Sequence, residues 1–73
     1  MGLRLLKSKR ILMGFTQEQI AKKIGINTKS YNMKENGRSK FSIKEAVEIS
    51  KCLGLTLDEV NDIFLQIDLA KGK

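Results

Sequence analysis

Three pairs spaced Ser/Thr-x-x-Glu/Gln, Thr16–Gln19, Ser42–Glu45 and Thr56–Glu59, cut this 73-residue chain into short helices. In such a pair the hydroxyl accepts from the third helical N–H, and the longer side chain reaches back to the N-cap N–H. Glycines supply the stops: Gly14, Gly25, Gly37 after Asn36, and Gly54. There is no proline and little aromatic content, and no strand signal interrupts the pattern. The punctuation predicts an all-α chain of five helices. The first runs from about Leu3 to Met13, the second from Thr16 to Ile24, and the third from the Asn27 cap to Asn36-Gly37. The fourth runs from Ser42 to Gly54, and the fifth starts at Thr56. Helical spacing assigns inward faces. These are Leu3, Leu6, Arg10 and Met13; then Ile20, Ala21 and Ile24, with Phe15 stapled on Ile20. On the fourth helix the face is Ala46, Val47, Ile49 and Leu53. On the fifth it is Leu57, Val60, Ile63, Phe64 and Ile67. One domain is expected over residues 1–68, with a frayed tail at 69–73.

The charge is uneven. Net charge is +6, but residues 1–40 carry +8 and residues 41–73 carry −2. A basic front half points to a polyanion, with nucleic acid ahead of an anionic membrane. A membrane binder needs a basic amphipathic helix with aromatic anchors, which the chain lacks. Lys22, Lys23, Lys44 and Lys51 read as a solvated face. Cys52 is the single cysteine and there is no histidine. That argues against a disulfide, a zinc site and a Cys–His nucleophile, and leaves Cys52 as a small core filler. With no phosphate-binding glycine loop and no clustered carboxylates, the chain reads as a non-enzyme with no cofactor and no small-molecule ligand. The sequence shows no membrane-spanning run and no signal-peptide core, so a cytoplasmic location is expected.

The stretch KKIGINTKS, Lys22 to Ser30, holds the sharpest corner. Gly25 suits a left-handed helix stop, and Asn27 two residues later is a good N-cap. Two helices joined so tightly form a helix-turn-helix. Ala21 is small enough for close approach, and Ile20, Ile24, Ile26 and Tyr31 bury the elbow, with the Tyr31 hydroxyl expected at the surface. Thr28, Lys29, Asn32 and Met33 then face outward. This helix suits the DNA major groove, about 12 Å wide. Lys29 suits guanine O6 and N7, Asn32 an adenine edge, and Thr28 and Met33 a thymine methyl.

The run FTQEQIAKKIGINTKSYNMKENGRSK resembles the DNA-binding domain of the Cro/C1-type (XRE) helix-turn-helix proteins, which include the lambdoid phage repressors. KSKRI followed by Gly14, and SIKEAVEISKCLGLTLDEV, extend the resemblance to about 60 of the 73 residues. It implies a lambda-repressor-like five-helix bundle and a sequence-specific DNA-binding transcriptional regulator, in particular a repressor. Carried over residue by residue, it implies that Gln17 caps its helix and touches a phosphate. Asn27, Thr28, Lys29, Asn32 and Met33 lie at the DNA, and Asn36, Arg38 and Lys40 grip the backbone. Arg10 and Glu35 form an ion pair tying the first helix to the third. Two positions depart from the pattern. Lys34 stands where an apolar residue is usual, so its stem should lie on the core while its ammonium reaches solvent. Met33 replaces a polar base-reader, which favours van der Waals readout there.

The fifth helix carries more apolar residues than one side of a small bundle can bury. Leu65 and Leu69 fall off its main stripe. A homodimer interface through Ile63, Leu65 and Ile67 is expected, which is also the end through which small members of the family dimerise on inverted repeats. The alternative is an antitoxin-like module whose apolar surface covers another protein.

Overall fold

All three capping boxes form, and they set where the helices begin. In the computed structural model, which describes residues 2–65, Thr16, Ser42 and Thr56 each accept from the N–H three residues on. Gln19, Glu45 and Glu59 reach back to the cap N–H at 2.9 Å. The helices are α1 (Gly2–Leu12), α2 (Gln17–Ile24), α3 (Thr28–Glu35), α4 (Ile43–Leu53) and α5 (Leu57–Val60). A π-helical turn, Asn61–Leu65, continues α5. No strand occurs among the described residues. The expected tail at 69–73, and the 1–68 boundary beside it, lie outside them.

The core gathers one stripe from each element. Leu6, Ile20, Ala21, Tyr31, Ala46, Ile49, Leu53, Ile63 and Phe64 are buried together with Phe41 from the α3–α4 connection. Tyr31, Phe41 and Phe64 form a ladder of rings, 6.0 Å and then 5.5 Å between centroids, the second pair edge-to-face. That ladder supports α3 from below. The N-terminus of α1 closes against the π turn. A Cβ on Gly2 would come within 2.6 Å of the Asp62 carbonyl oxygen, so only glycine permits this approach. Lys9 and Glu59, 3.1 Å apart, span the same junction at its rim.

Three expectations from spacing, and one from the apolar excess of the fifth helix, are corrected. Met13 lies beyond the end of α1 and is half exposed. Val47 is 47 % exposed, because it stands about 100° around α4 from buried Ala46. Leu57 is 82 % exposed; it opens α5, and first-turn side chains lean back past the helix end. Ile63, expected at a subunit contact, is wholly buried within the chain. Ile63 and Phe64 keep the inward face that helical spacing assigns them, through the π turn, so the subunit contact expected at Ile63 is not available there. The side chain of Leu65 and all of Ile67 lie outside the described residues.

Candidate nucleic-acid interface

The elbow between α2 and α3 is built from three consecutive residues, Gly25, Ile26 and Asn27. Gly25 adopts φ 80°, ψ 29°, the left-handed conformation that a Cβ penalises. The chain then folds back so that the Ile26 N–H donates to the Ala21 carbonyl at 3.0 Å. Asn27 returns to extended geometry, and its Oδ1 accepts from the Ser30 N–H at 2.7 Å. Ala21 is buried at the crossing, and Ile24 and Ile26 pack against the core on either side.

Helix α3 therefore presents two different faces. Tyr31 and Glu35 point inward and are buried. Thr28, Lys29, Asn32 and Met33 form one exposed row, Met33 at 38 %. Asn27, Asn36, Arg38 and Lys40 are exposed at the two ends of that row. The segment beyond α3 is held in place. Gly37 sits at φ 83°, and the Arg38 N–H donates to the Met33 carbonyl at 2.8 Å. Lys34 takes its expected pose and does more with it. Its ammonium donates to the Lys40 carbonyl at 2.7 Å, pairs with Glu45 at 3.2 Å, and lies 5.9 Å from the Phe41 ring. Lys34 thus closes the loop that carries Arg38 and Lys40.

Beneath the exposed row lies a buried polar cluster centred on Glu35. One carboxylate oxygen, Oε2, accepts from Arg10 Nε and from the Tyr31 hydroxyl, each at 2.8 Å. The other, Oε1, accepts from Gln17 Nε2 at 2.7 Å and from Arg10 Nη2 at 3.2 Å. Arg10 also donates to the Phe15 carbonyl at 2.8 Å, fixing the α1–α2 turn. The Arg10–Glu35 pair is the one that the family resemblance implies. The Tyr31 hydroxyl is not at the surface, where it was expected: it is buried and bonded inside the cluster. Gln17 and Asn32 hold a link that sequence reasoning missed, with Asn32 Nδ2 donating to Gln17 Oε1 at 3.0 Å. Partners 15 residues apart on two helices leave no local signature.

Charge and burial compete at this cluster. Burial alone pushes the Glu35 carboxyl up; the hydrogen bonds from Arg10, Gln17 and Tyr31, with the Arg10 charge, outweigh it and hold Glu35 below its ordinary value. Burial, then the bond to Glu35, pushes the Tyr31 phenol up, so it stays a donor. The bond to Glu35 raises Arg10 further. Glu59 is also held low, by the Thr56 backbone and then by Lys9. A carboxyl whose folded pKa lies below its unfolded one stabilises the fold above the unfolded value, and that stability is lost as pH falls through the folded one. The melting temperature is expected to stay level down to the ordinary glutamate pKa of 4.5 and to fall steadily below it. Circular-dichroism melts across an acid series measure this, and a level melting temperature through that range would contradict the cluster's assigned charge state.

The described residues contain no group of His, Cys, Asp or Glu side chains suited to a metal ion. No helix among them is long and apolar enough to cross a membrane. A family model described as helix-turn-helix matches residues 6–60. The chain is also 36 % identical over 63 residues to a Methanocaldococcus jannaschii protein described as an uncharacterised HTH-type transcriptional regulator; the match covers 86 % of this chain and 91 % of that protein. No solved structure gives a significant match. The family is one of transcription regulators, not of enzymes. Both the matched span and the shared identity cover the elbow and the helices that frame it, and the chain belongs to the helix-turn-helix family of Cro/C1 type.

Proposed function

We propose that this protein binds double-stranded DNA in a sequence-specific way and represses transcription by occupying its site as a homodimer on an inverted repeat. One observation carries the reading. The exposed row Thr28, Lys29, Asn32 and Met33 stands on a helix whose opposite face is locked by Tyr31 and Glu35. A rigid helix with a polar, cationic outer face suits the major groove, where each base pair shows a distinct pattern of donors and acceptors. Lys29 reads guanine, Asn32 adenine, and Thr28 and Met33 the thymine methyl. Gln17, Asn27, Asn36, Arg38 and Lys40 lie toward the phosphates on either side. A DNA partner supports a cytoplasmic location for the working protein.

Dimerisation is supported by affinity and by surface. A single small domain makes few phosphate contacts and binds weakly at physiological salt, whereas two linked half-sites multiply affinity. Ile43 and Val47, one turn apart on α4, and Leu57 at the start of α5 leave apolar surface in solvent. Selection of bound sites from random duplex DNA tests the whole reading: an enriched inverted repeat is the expected result, and no enrichment overturns it. On the enriched site, Lys29→Ala relaxes preference at one base pair per half-site, while Lys40→Ala weakens all sequences alike. Equal, sequence-blind losses for both would remove the assigned roles.

A further inference from the structure

We infer that Gln17 is a specificity-determining residue: it transmits the fixed charge of Glu35 to Asn32 and locks the Asn32 amide in the orientation that reads adenine. The inference rests on the DNA-binding reading above and goes further, because it assigns a base preference and names a residue that need not touch the base.

The direction of the hydrogen bonds is forced by chemistry. Arg10 donates to both oxygens of Glu35, so the carboxylate is ionised and can only accept. Gln17 lies 2.7 Å from that carboxylate and must therefore offer its NH2 group. Its carbonyl oxygen is then turned the other way, toward Asn32. Asn32, 3.0 Å away, must in turn offer its own NH2. Both amides of the relay, Gln17 and Asn32, are oriented by one buried charge. The two ends of the relay differ in exposure: Glu35 is 4 % exposed, whereas Asn32 is open to solvent on the outer face of α3.

What remains free on Asn32 is one N–H and the carbonyl oxygen. Adenine shows the complement of that pair in the major groove, the N6 donor beside the N7 acceptor. An unrestrained asparagine rotates its amide almost freely about the terminal torsion, exchanging donor for acceptor. It can then give one hydrogen bond to any base edge and discriminates poorly. An amide held by Gln17 cannot make that exchange without setting Gln17 Oε1 against its own oxygen. Nor can Gln17 turn to relieve the clash, since its oxygen would then face the Glu35 carboxylate. Guanine, with two acceptors on that edge, is rejected for the same reason.

The test uses the full chain on its selected site, with each base pair varied in turn. Wild type is expected to prefer adenine at one position per half-site by about ten-fold, the scale of a bidentate contact. Asn32→Ala abolishes the preference at that position. Gln17→Ala, checked for folding by circular dichroism, relaxes the same position and leaves preference elsewhere intact; the double variant loses nothing more. A DNA-free measurement probes the polarity itself. Asn32→Asp puts an acceptor against Gln17 Oε1, so it melts below Asn32→Ala, and this gap narrows when Gln17 is also alanine. If Gln17→Ala weakens every sequence equally, or affects a different base pair from Asn32→Ala, or leaves the Asp–Ala gap unchanged, the relay is overturned while DNA binding stands. If wild type shows no sequence preference at all, the functional reading falls first.

Discussion

Glu35→Ala leaves most of the chain unfolded at room temperature. The substitution removes the acceptor for four donors at once: two nitrogens of Arg10, the Tyr31 hydroxyl and the Gln17 amide. Arg10 is only 7 % exposed, so its guanidinium stays buried without a counter-charge. Breaking a buried pair from one side costs about 3–5 kcal/mol, which is comparable to the whole stability of so small a domain. The melting temperature is expected to fall by roughly 20 °C, at the several degrees per kcal/mol typical of this size. The cost belongs to the orphaned groups and not to the pair as such. Arg10→Met combined with Glu35→Leu therefore recovers much of the loss, and adding Tyr31→Phe recovers more by removing a hydroxyl with no acceptor. Thermal melts of the single, double and triple variants measure this order. A Glu35→Ala chain as stable as wild type would mean that the cluster does not hold α1, α2 and α3 together.

The legible parts of this fold are the ones fixed within four residues of chain. Each N-cap hydroxyl meets an N–H three positions on, and each glycine stop is a local backbone conformation, so the boundaries could be placed from the letters alone. The outward row of α3 followed from a single inward residue, Tyr31. Lys34 was legible because a long stem in an apolar position has few places to put its charge. What escaped depends on how helices cross. The Gln17–Asn32 and Gln17–Glu35 bonds join residues 15 and 18 positions apart, and their existence turns on the close approach at Ala21. The Tyr31 hydroxyl was misplaced because periodicity gives a face and not a depth. Ile63 lies on the inward stripe carried forward from Val60 and stays with it in the core; its assignment to a subunit contact failed because an excess of apolar residues does not say which of them are left over.

Affinity for a specific duplex is expected to fall about 10³- to 10⁵-fold between about 50 and 200 mM salt, because binding exchanges condensed counterions for lysine and arginine. The slope can be anticipated from how the cations are already engaged. Of the ten Lys and Arg in residues 1–40, Arg10 is paired with Glu35, Lys9 with Glu59 and Lys34 with Glu45. Lys29 stands in the exposed row and Arg38 and Lys40 follow it, with Lys22 and Lys23 at the end of α2 just before the elbow. Three to five contacts from each of two chains neutralise about six to ten phosphates, giving a slope of log K against log salt of about −5 to −9. Replacing Arg38 and Lys40 together by alanine removes four contacts per dimer and flattens the slope by about 3 to 4. Replacing Lys9, whose ammonium is held by Glu59 across the α1–α5 junction, leaves the slope unchanged. The contrast separates placement from total charge: a generic polycation would lose slope with every lysine removed, wherever it sits. A slope near zero in the wild type, or equal flattening by the Lys9 variant, would mean that the basic front half is solvated surface and that the cations beside α3 have no role at the phosphates.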